Sequence, residues 1–226
     1  MDIRARILAK ARILGASLSG VSSLDSLLGS PSHQVYGELH WTLSAESVLV
    51  LGLEHPENEP ELDWWDDRDG GTPGNRQLVN IAKDLKQWLQ EEFGFNVHPL
   101  PYHVEKGGLF LKDAAILGGI GTLGSNNLVI TKEFGPRVRF RALLIDVNLK
   151  PKAPIDFTPC QACDNPCRSA CPQDAFANGF YSRISCNKQM EADERGKDVF
   201  KQPDDKLPKP RIKYCRACEL SCPVGK

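Results

Sequence analysis

Cys160-Gln161-Ala162-Cys163-Asp164-Asn165-Pro166-Cys167-Arg168-Ser169-Ala170-Cys171-Pro172 places four cysteines in thirteen residues. A second group follows: Cys186 alone, then Cys215-Arg216-Ala217-Cys218-Glu219-Leu220-Ser221-Cys222-Pro223. These are all eight cysteines of the 226-residue chain, and the first 159 residues hold none. Eight thiolates are the donor set of two four-iron clusters, because each cubane takes four. Structural zinc also binds four thiolates. Its ribbons and knuckles offer two separated pairs, whereas here the spacing is Cys-x2-Cys-x3-Cys-x3-Cys-Pro. Disulfides need an oxidising compartment, and no secretory segment is visible.

Each half of the cysteine pattern ends in Cys-x3-Cys-Pro. This resembles the bacterial two-cluster ferredoxin run, in which the cysteine before the proline ligates the other cluster. The resemblance implies a crossed sorting for two [4Fe-4S] clusters. Cys160, Cys163 and Cys167 would share one with Cys222; Cys215, Cys218 and Cys186 would share the other with Cys171. The second gap of the first run holds three residues instead of two, and a bend at Pro166 is expected to absorb the extra one.

Working outward, Lys150-Pro151-Lys152-Ala153-Pro154 reads as a linker, giving an expected first domain at 1–150 and a cluster domain at 151–226. The stretch 187–213 is mostly charged, with Pro203, Pro208 and Pro210, and reads as a loop or short helix. Metal ligation would stand in for a hydrophobic core there.

The first domain alternates strand and helix signals, which argues for helices packed on a sheet. Helical spacing spans 3–14, and a strand and short helix follow to about Leu28. Residues 29–45, with His33 and His40, read as loop. The apolar run Val48-Leu49-Val50-Leu51 reads as a buried strand. Residues 55–74 read as an acidic loop in which Trp64 and Trp65 either line a pocket or pin the loop to its own domain. Asn75–Phe93 is the clearest helix, with a stripe of Leu78, Ile81, Ala82, Leu85, Trp88, Leu89 and Phe93, closed by Gly94. A strand at Phe95–Leu100, a helix at 109–118, and strands at 128–130 and 138–145 complete the domain.

Formal net charge is −1 and apolar residues make up 41%. The charge balance gives no electrostatic case for non-specific nucleic-acid binding, and the apolar fraction is enough for a sizeable core. No stretch of about 18 apolar residues or leader pattern is visible, so a soluble cytoplasmic protein with no membrane partner is expected.

Gly119-Ile120-Gly121-Thr122-Leu123-Gly124-Ser125-Asn126-Asn127 contains Gly-x-Gly-x-x-Gly. A dinucleotide fingerprint needs a strand before it and a helix after it. Here the order is reversed, so the glycines are read only as permitting close backbone approach to a ligand. With Leu128-Val129-Ile130-Thr131, this segment resembles that of epoxyqueuosine reductases and reductive dehalogenases. Glu133-Phe134-Gly135-Pro136-Arg137-Val138-Arg139 is similar to the dehalogenase run, and the eight cysteines follow in matching order.

The resemblance covers roughly 46–223 and implies an α+β fold: a nitroreductase-like, cobalamin-binding sandwich followed by a two-cluster ferredoxin-like module. It implies a cobalamin-dependent reductase, with electrons passing from reduced ferredoxin or flavodoxin through two clusters to a corrinoid and then to a small-molecule or corrinoid-protein substrate. Gly119, Gly121, Gly124, Ser125, Asn126 and Arg137 would face the corrinoid, Arg137 and Arg139 neutralising anionic groups. The proton-donating Asp of epoxyqueuosine reductases lies fourteen residues before the first glycine. The same count from Gly119 reaches Glu105, with Tyr102 and His103 nearby. Glu105 and Tyr102 are therefore the expected catalytic residues. Thr122 and Ser125 stand where epoxyqueuosine reductases carry Trp and Lys. The sequence shows no helical-repeat extension after Pro223, so tRNA is not expected as a partner; a homodimer fits nitroreductase-like cores. The alternatives are an electron-transfer or activating protein that reduces a corrinoid protein, and a corrinoid-trafficking reductase.

Overall fold

In a computed structural model, the structure describes residues 2–37, 39, 41, 44–200 and 208–226. His40 and Pro203, both expected in loops, lie outside the described residues. In chain order the elements are α1 (Ile3–Ile13), β1 (Leu18–Ser23), α2 (Leu24–Leu28), α3 (Pro31–Tyr36), β2 (Ser47–Glu54), β3 (Trp65–Asp66), α4 (Pro73–Phe93), β4 (Val97–Pro99) and α5 (Leu111–Leu117). Then follow β5 (Gly121–Leu123), β6 (Val129–Thr131), β7 (Val138–Ile145), α6 (Pro166–Ser169), α7 (Arg183–Arg195), β8 (Asp198–Phe200), β9 (Lys209–Ile212) and α8 (Ala217–Leu220).

These elements divide into two compact units. The first comprises Met1–Glu54, Leu78–Leu123 and Val138–Phe157; the second comprises His55–Gln77, Gly124–Arg137 and Thr158–Lys226. The sequence-based division at 150/151 treats the domains as consecutive, whereas the compact units interleave. The physical reason is that the 55–77 and 124–137 segments are bonded to the cysteine-bearing chain, as described below.

The first unit is built on an antiparallel sheet in the order β1-β2-β7-β4. Its register sets Val50 opposite Gly20 and Ala142, and Leu143 opposite Pro99. Side chains alternate faces along a strand. Leu49, Leu51, Leu53, Val21, Val97, Leu143 and Ile145 turn to one side and pack with Ile7 and Ala11 of α1 and Leu78, Ile81, Ala82, Leu85 and Leu89 of α4. Each fully buried Leu or Ile adds roughly 1.5–3 kcal/mol. The opposite face carries Val48, Val50, Ala142 and Leu144, also buried, and α5 supplies buried Ala114 and Ala115. α5 can lie close because β1 has Gly20, where an added Cβ would stand 2.3 Å from the Gly118 carbonyl oxygen. Trp88 meets Phe93 edge-on, and Phe93 stacks on Phe95. Gly94 ends α4 at φ +70°, the left-handed conformation expected of the residue after a helix.

Residues 29–45 were expected as loop, but α3 forms there with Pro31 at its first turn, where proline is preorganised. Ser30 Oγ bonds to Asp113 Oδ2 at 2.7 Å and to His33 Nδ1 at 2.9 Å. These contacts fix the helix start.

In the second unit, β9 pairs with both β3 and β8. The described residues of the 187–213 stretch hold more structure than expected: α7 covers residues up to 195, and β8 and β9 lie at 198–200 and 209–212. The order comes from charge and aromatic contacts. Arg211 forks onto Asp198 at 2.7 and 2.6 Å, and its guanidinium lies 4.4 Å from the Trp64 ring centroid. Lys213 approaches the same ring at 4.9 Å. Trp65 packs on Gly71, where an added Cβ would lie 3.0 Å from the indole. Both tryptophans are therefore pinned inside their own unit. The 55–74 stretch contains a 3-10 turn at Pro60–Asp63 as well as β3. Among the described residues no helix is long and apolar enough to cross a membrane.

Candidate functional site

The first cysteine run is shaped by local backbone. Asn165 takes the left-handed conformation at φ 54° and its side-chain amide donates to the Cys163 carbonyl at 2.8 Å. Pro166 then opens α6, which carries Cys167. Cys171 follows the end of α6. Cys186 sits in the first turn of α7, whose N-cap Ser182 accepts from the Ser185 amide. Cys215 precedes α8 and Cys218 lies within it.

The thiols fall into two groups by mutual electrostatic influence. Burial pushes the Cys167 thiol up, and Cys222, Cys160 and Cys163 push it further. Burial likewise raises Cys222, opposed by the Val224 amide and Arg137, with Cys160 and Cys163 adding to the rise. Cys218 is pushed up to about 12 by burial first, then by Cys215, Glu219, Cys186 and Cys171. Burial raises Cys215 too, with Asp193, Cys171 and Cys186 in the same direction. The interacting sets are Cys160, Cys163, Cys167 and Cys222, and Cys171, Cys186, Cys215 and Cys218. Each set draws members from both halves of the cysteine pattern.

Four thiols that hold one another's charge off are a donor set suited to a polycationic centre, which would reverse that penalty. Backbone amides already aim at sulfur: Ser125 N at Cys160 (3.4 Å), Ala175 N at Cys171 (3.3 Å) and Ala217 N at Cys215 (3.5 Å). Such hydrogen bonds are one of the levers on cluster potential. Among the described residues no group of three or more His, Cys, Asp or Glu is arranged to hold a single metal ion.

From Gly124 onward the glycine segment belongs to this same unit, whereas Gly119 and Gly121 belong to the first. Gly124 is crowded: an added Cβ would lie 2.5 Å from Ile130 Cγ1 and 2.9 Å from Asn126 Oδ1. Ser125 also accepts from Arg168 Nε at 3.3 Å. Buried Asn126 donates to the Cys218 carbonyl at 3.3 Å and accepts from the Leu128 amide at 3.2 Å. Arg137, 4% exposed, donates to the Cys222 carbonyl at 3.4 Å and the Val224 carbonyl at 2.8 Å. Gly124, Ser125, Asn126 and Arg137, expected to face a corrinoid, are thus engaged with their own turn and the cysteine segments. Arg139 donates to the Val138 carbonyl. Gly119, at φ +70°, packs near the Ala153 carbonyl, and Gly121 is buried in β5.

The expected proton donors are in the first unit. Glu105 lies in a 3-10 turn, its side chain 67% exposed and 3.4 Å from His103 Nδ1. Tyr102 is 56% exposed, with the buried Arg141 guanidinium 5.2 Å from its ring centroid.

Sequence reasoning missed a buried ion network beside the second thiol group. Arg216, inside Cys215-x2-Cys218, places Nη1 2.9 Å from Asp63 Oδ2 and donates Nη2 to the His55 carbonyl at 2.6 Å. Its Nε donates to Glu219 Oε1 at 3.0 Å. His55 is fully buried with Nδ1 2.9 Å from Asp63 Oδ1. Its ring lies against Gly74, where an added Cβ would stand 2.2 Å from Nε2. The available signal was two opposite charges three apart in a ligand loop that otherwise needs only thiols.

No family model matches the chain. An epoxyqueuosine reductase from Lactococcus garvieae is 23% identical over 193 residues, covering 80% of this chain and 52% of the relative. An epoxyqueuosine reductase solved with an epoxyqueuosine-modified tRNA-Tyr stem loop superposes with a TM-score of 0.68 at 17% identity, over 99% of this chain and 65% of that one. The catabolic reductive dehalogenase NpRdhA superposes with a TM-score of 0.68 at 16% identity, over 97% of this chain and 31% of that one. The chain shares the fold of epoxyqueuosine reductases and reductive dehalogenases. The α+β expectation stands, as does the resemblance drawn from the glycine, Gly135-Pro136-Arg137 and cysteine motifs. The chain spans about half the length of the L. garvieae relative.

Proposed function

We propose that the chain is an iron–sulfur oxidoreductase module that carries electrons through two [4Fe-4S] clusters. Cys160, Cys163, Cys167 and Cys222 hold one cluster; Cys171, Cys186, Cys215 and Cys218 hold the other. The observation that carries this reading is the sorting of the thiols into two fours that cross the sequence halves. Bound there, the clusters supply one-electron chemistry. The chain's residues set their surroundings: Ser125, Ala175 and Ala217 direct amides at sulfur, and Asn126 and Arg137 fasten the backbone next to Cys218 and Cys222. A low-potential ferredoxin or flavodoxin is the proposed donor.

A corrinoid is the acceptor that the likeness to these families suggests. No step is assigned to it. The reductase reading with its own small-molecule substrate therefore stands beside a second: an electron-transfer or activating protein that reduces a corrinoid protein. The exposure of Glu105 and Tyr102 favours the second. The fold has been solved with a tRNA stem loop in an epoxyqueuosine reductase, so the fold lends no weight to the expectation that tRNA is not a partner.

Anaerobic reconstitution tests the cluster assignment, with about eight irons and eight sulfides per chain expected; about four would refute it. Adding cobalamin and reducing the mixture then separates the two readings. A stoichiometric corrinoid complex supports the reductase, and its absence with intact clusters supports the electron-transfer protein.

A further inference from the structure

The two thiol groups sit in different electrostatic surroundings. Beside Cys222 lies the buried guanidinium of Arg137, which donates to the Cys222 and Val224 carbonyls. Among the described residues it meets no carboxylate. Beside Cys215 and Cys218 lies the guanidinium of Arg216, which is ion-paired to Asp63 and to Glu219. Asp63 has 11% of its side chain exposed and Glu219 5%. One buried cation is thus left unneutralised next to the first group, whereas the cation next to the second is matched by carboxylates.

Adding an electron to a cluster adds one negative charge. A nearby buried positive charge stabilises the reduced form and raises the potential; buried carboxylates do the reverse, and low dielectric magnifies both effects. We propose that the two clusters differ in reduction potential and that the one held with Cys222 is the easier to reduce, with Arg137 and the Arg216–Asp63–Glu219 network setting the difference. This rests on the two-cluster reading above. It gives the module a direction: an external one-electron donor delivers to the cluster of Cys171, Cys186, Cys215 and Cys218. With clusters held in these sets, the electron would pass on to the set of Cys160, Cys163, Cys167 and Cys222, the donor-side cluster being reoxidised by one electron. No bond or proton moves in the step. Arg137 and Glu219 act as positioning residues in this scheme, since each works through the charge it holds near a ligand loop.

The test is a dithionite redox titration of the reconstituted chain, followed by electron paramagnetic resonance. Iron and sulfide are counted first: a chain that does not reach about eight of each overturns the cluster reading itself, a result independent of any potential. With both clusters present, two separate reduction waves are expected. Arg137→Gln should move only the upper wave downward, by about tenfold in reduction equilibrium constant, or 59 mV for a one-electron couple. Arg137→Lys should keep the wave near its original position, separating charge from fold. Glu219→Gln, which retains the shape of the side chain, should move only the lower wave upward. A single wave in the unaltered chain overturns the ordering, as does an Arg137→Gln shift confined to the lower wave or no shift in either variant.

Discussion

Arg216 Nη1 and Asp63 Oδ2 lie 2.9 Å apart, with only 10% and 11% of the two side chains exposed. This ion pair joins the second cysteine loop to the 3-10 turn at Pro60–Asp63, far away in sequence. Removing one partner of a buried pair costs about 3–5 kcal/mol, because the other charge is left uncompensated. Asp63→Ala should therefore lower the urea midpoint markedly. Arg216→Met with Asp63→Leu and Glu219→Gln should recover part of the loss. Equal destabilisation by the single and combined variants would contradict a coupled network.

The crossed thiol sets can be separated chemically. Cys222→Ser should impair the cluster shared with Cys160, Cys163 and Cys167 while sparing the other, and Cys171→Ser should do the opposite. Each is expected to lower bound iron by about half. A double variant, Cys222→Ser with Cys160→Ser, should lose no more iron than Cys222→Ser alone if the two cysteines serve one site. An additive loss would assign them to different sites.

Gly20 lets α5 approach β1. In Gly20→Ala the new methyl would stand 2.3 Å from the Gly118 carbonyl oxygen, a backbone atom with little freedom to retreat. Overpacking of this kind costs about 1–3 kcal/mol. Thermal melting of the apo chain should show it, whereas Gly37→Ala, where no atom lies within 4 Å of an added Cβ, should suffer only from its φ of 97°.

His33 is buried against Phe110, and desolvation lowers its pKa below the usual 6.5, with Asp113 opposing. A histidine held neutral in the fold contributes stability that is fully present above its unfolded pKa and is lost as pH falls through the folded value. Stability should therefore fall as pH drops below about 6.5. In His33→Gln this part of the pH dependence should disappear. An unchanged slope in urea melts between pH 7 and pH 5 would show that His33 is not responsible.

How far these features could be read without coordinates depends on the kind of signal. The α4 stripe and the buried β2 run are periodic and long, so pattern alone located them. The cysteine spacing pointed to the proposed chemistry because the thiols sit close in sequence. α3 was missed because its six residues carry no apolar stripe; Pro31 and the Ser30 contacts hold it instead. β8 and β9 were missed because their stabilising contacts are charge and aromatic pairs, such as Arg211 with Asp198 and Trp64, formed across long sequence gaps. Arg137 and Asn126 carry no local signature of the carbonyls they bind, since those partners lie 85 and 92 residues away. A resemblance to corrinoid enzymes suggested a ligand for them; geometry gave them a neighbour in the chain.

The crossing of the thiol groups has a consequence for biosynthesis. One set waits for Cys222 and the other for Cys218, so a nascent chain paused after Cys186 holds five thiols and no finished site. Iron offered at that stage would meet one set of three thiols and one pair, neither of them complete. Under the proposed two-cluster assignment, loading would be deferred until translation has passed both ligands, and the two sets would be completed within four residues of each other. A truncation before Cys218 would be expected to lose both centres together, not one after the other.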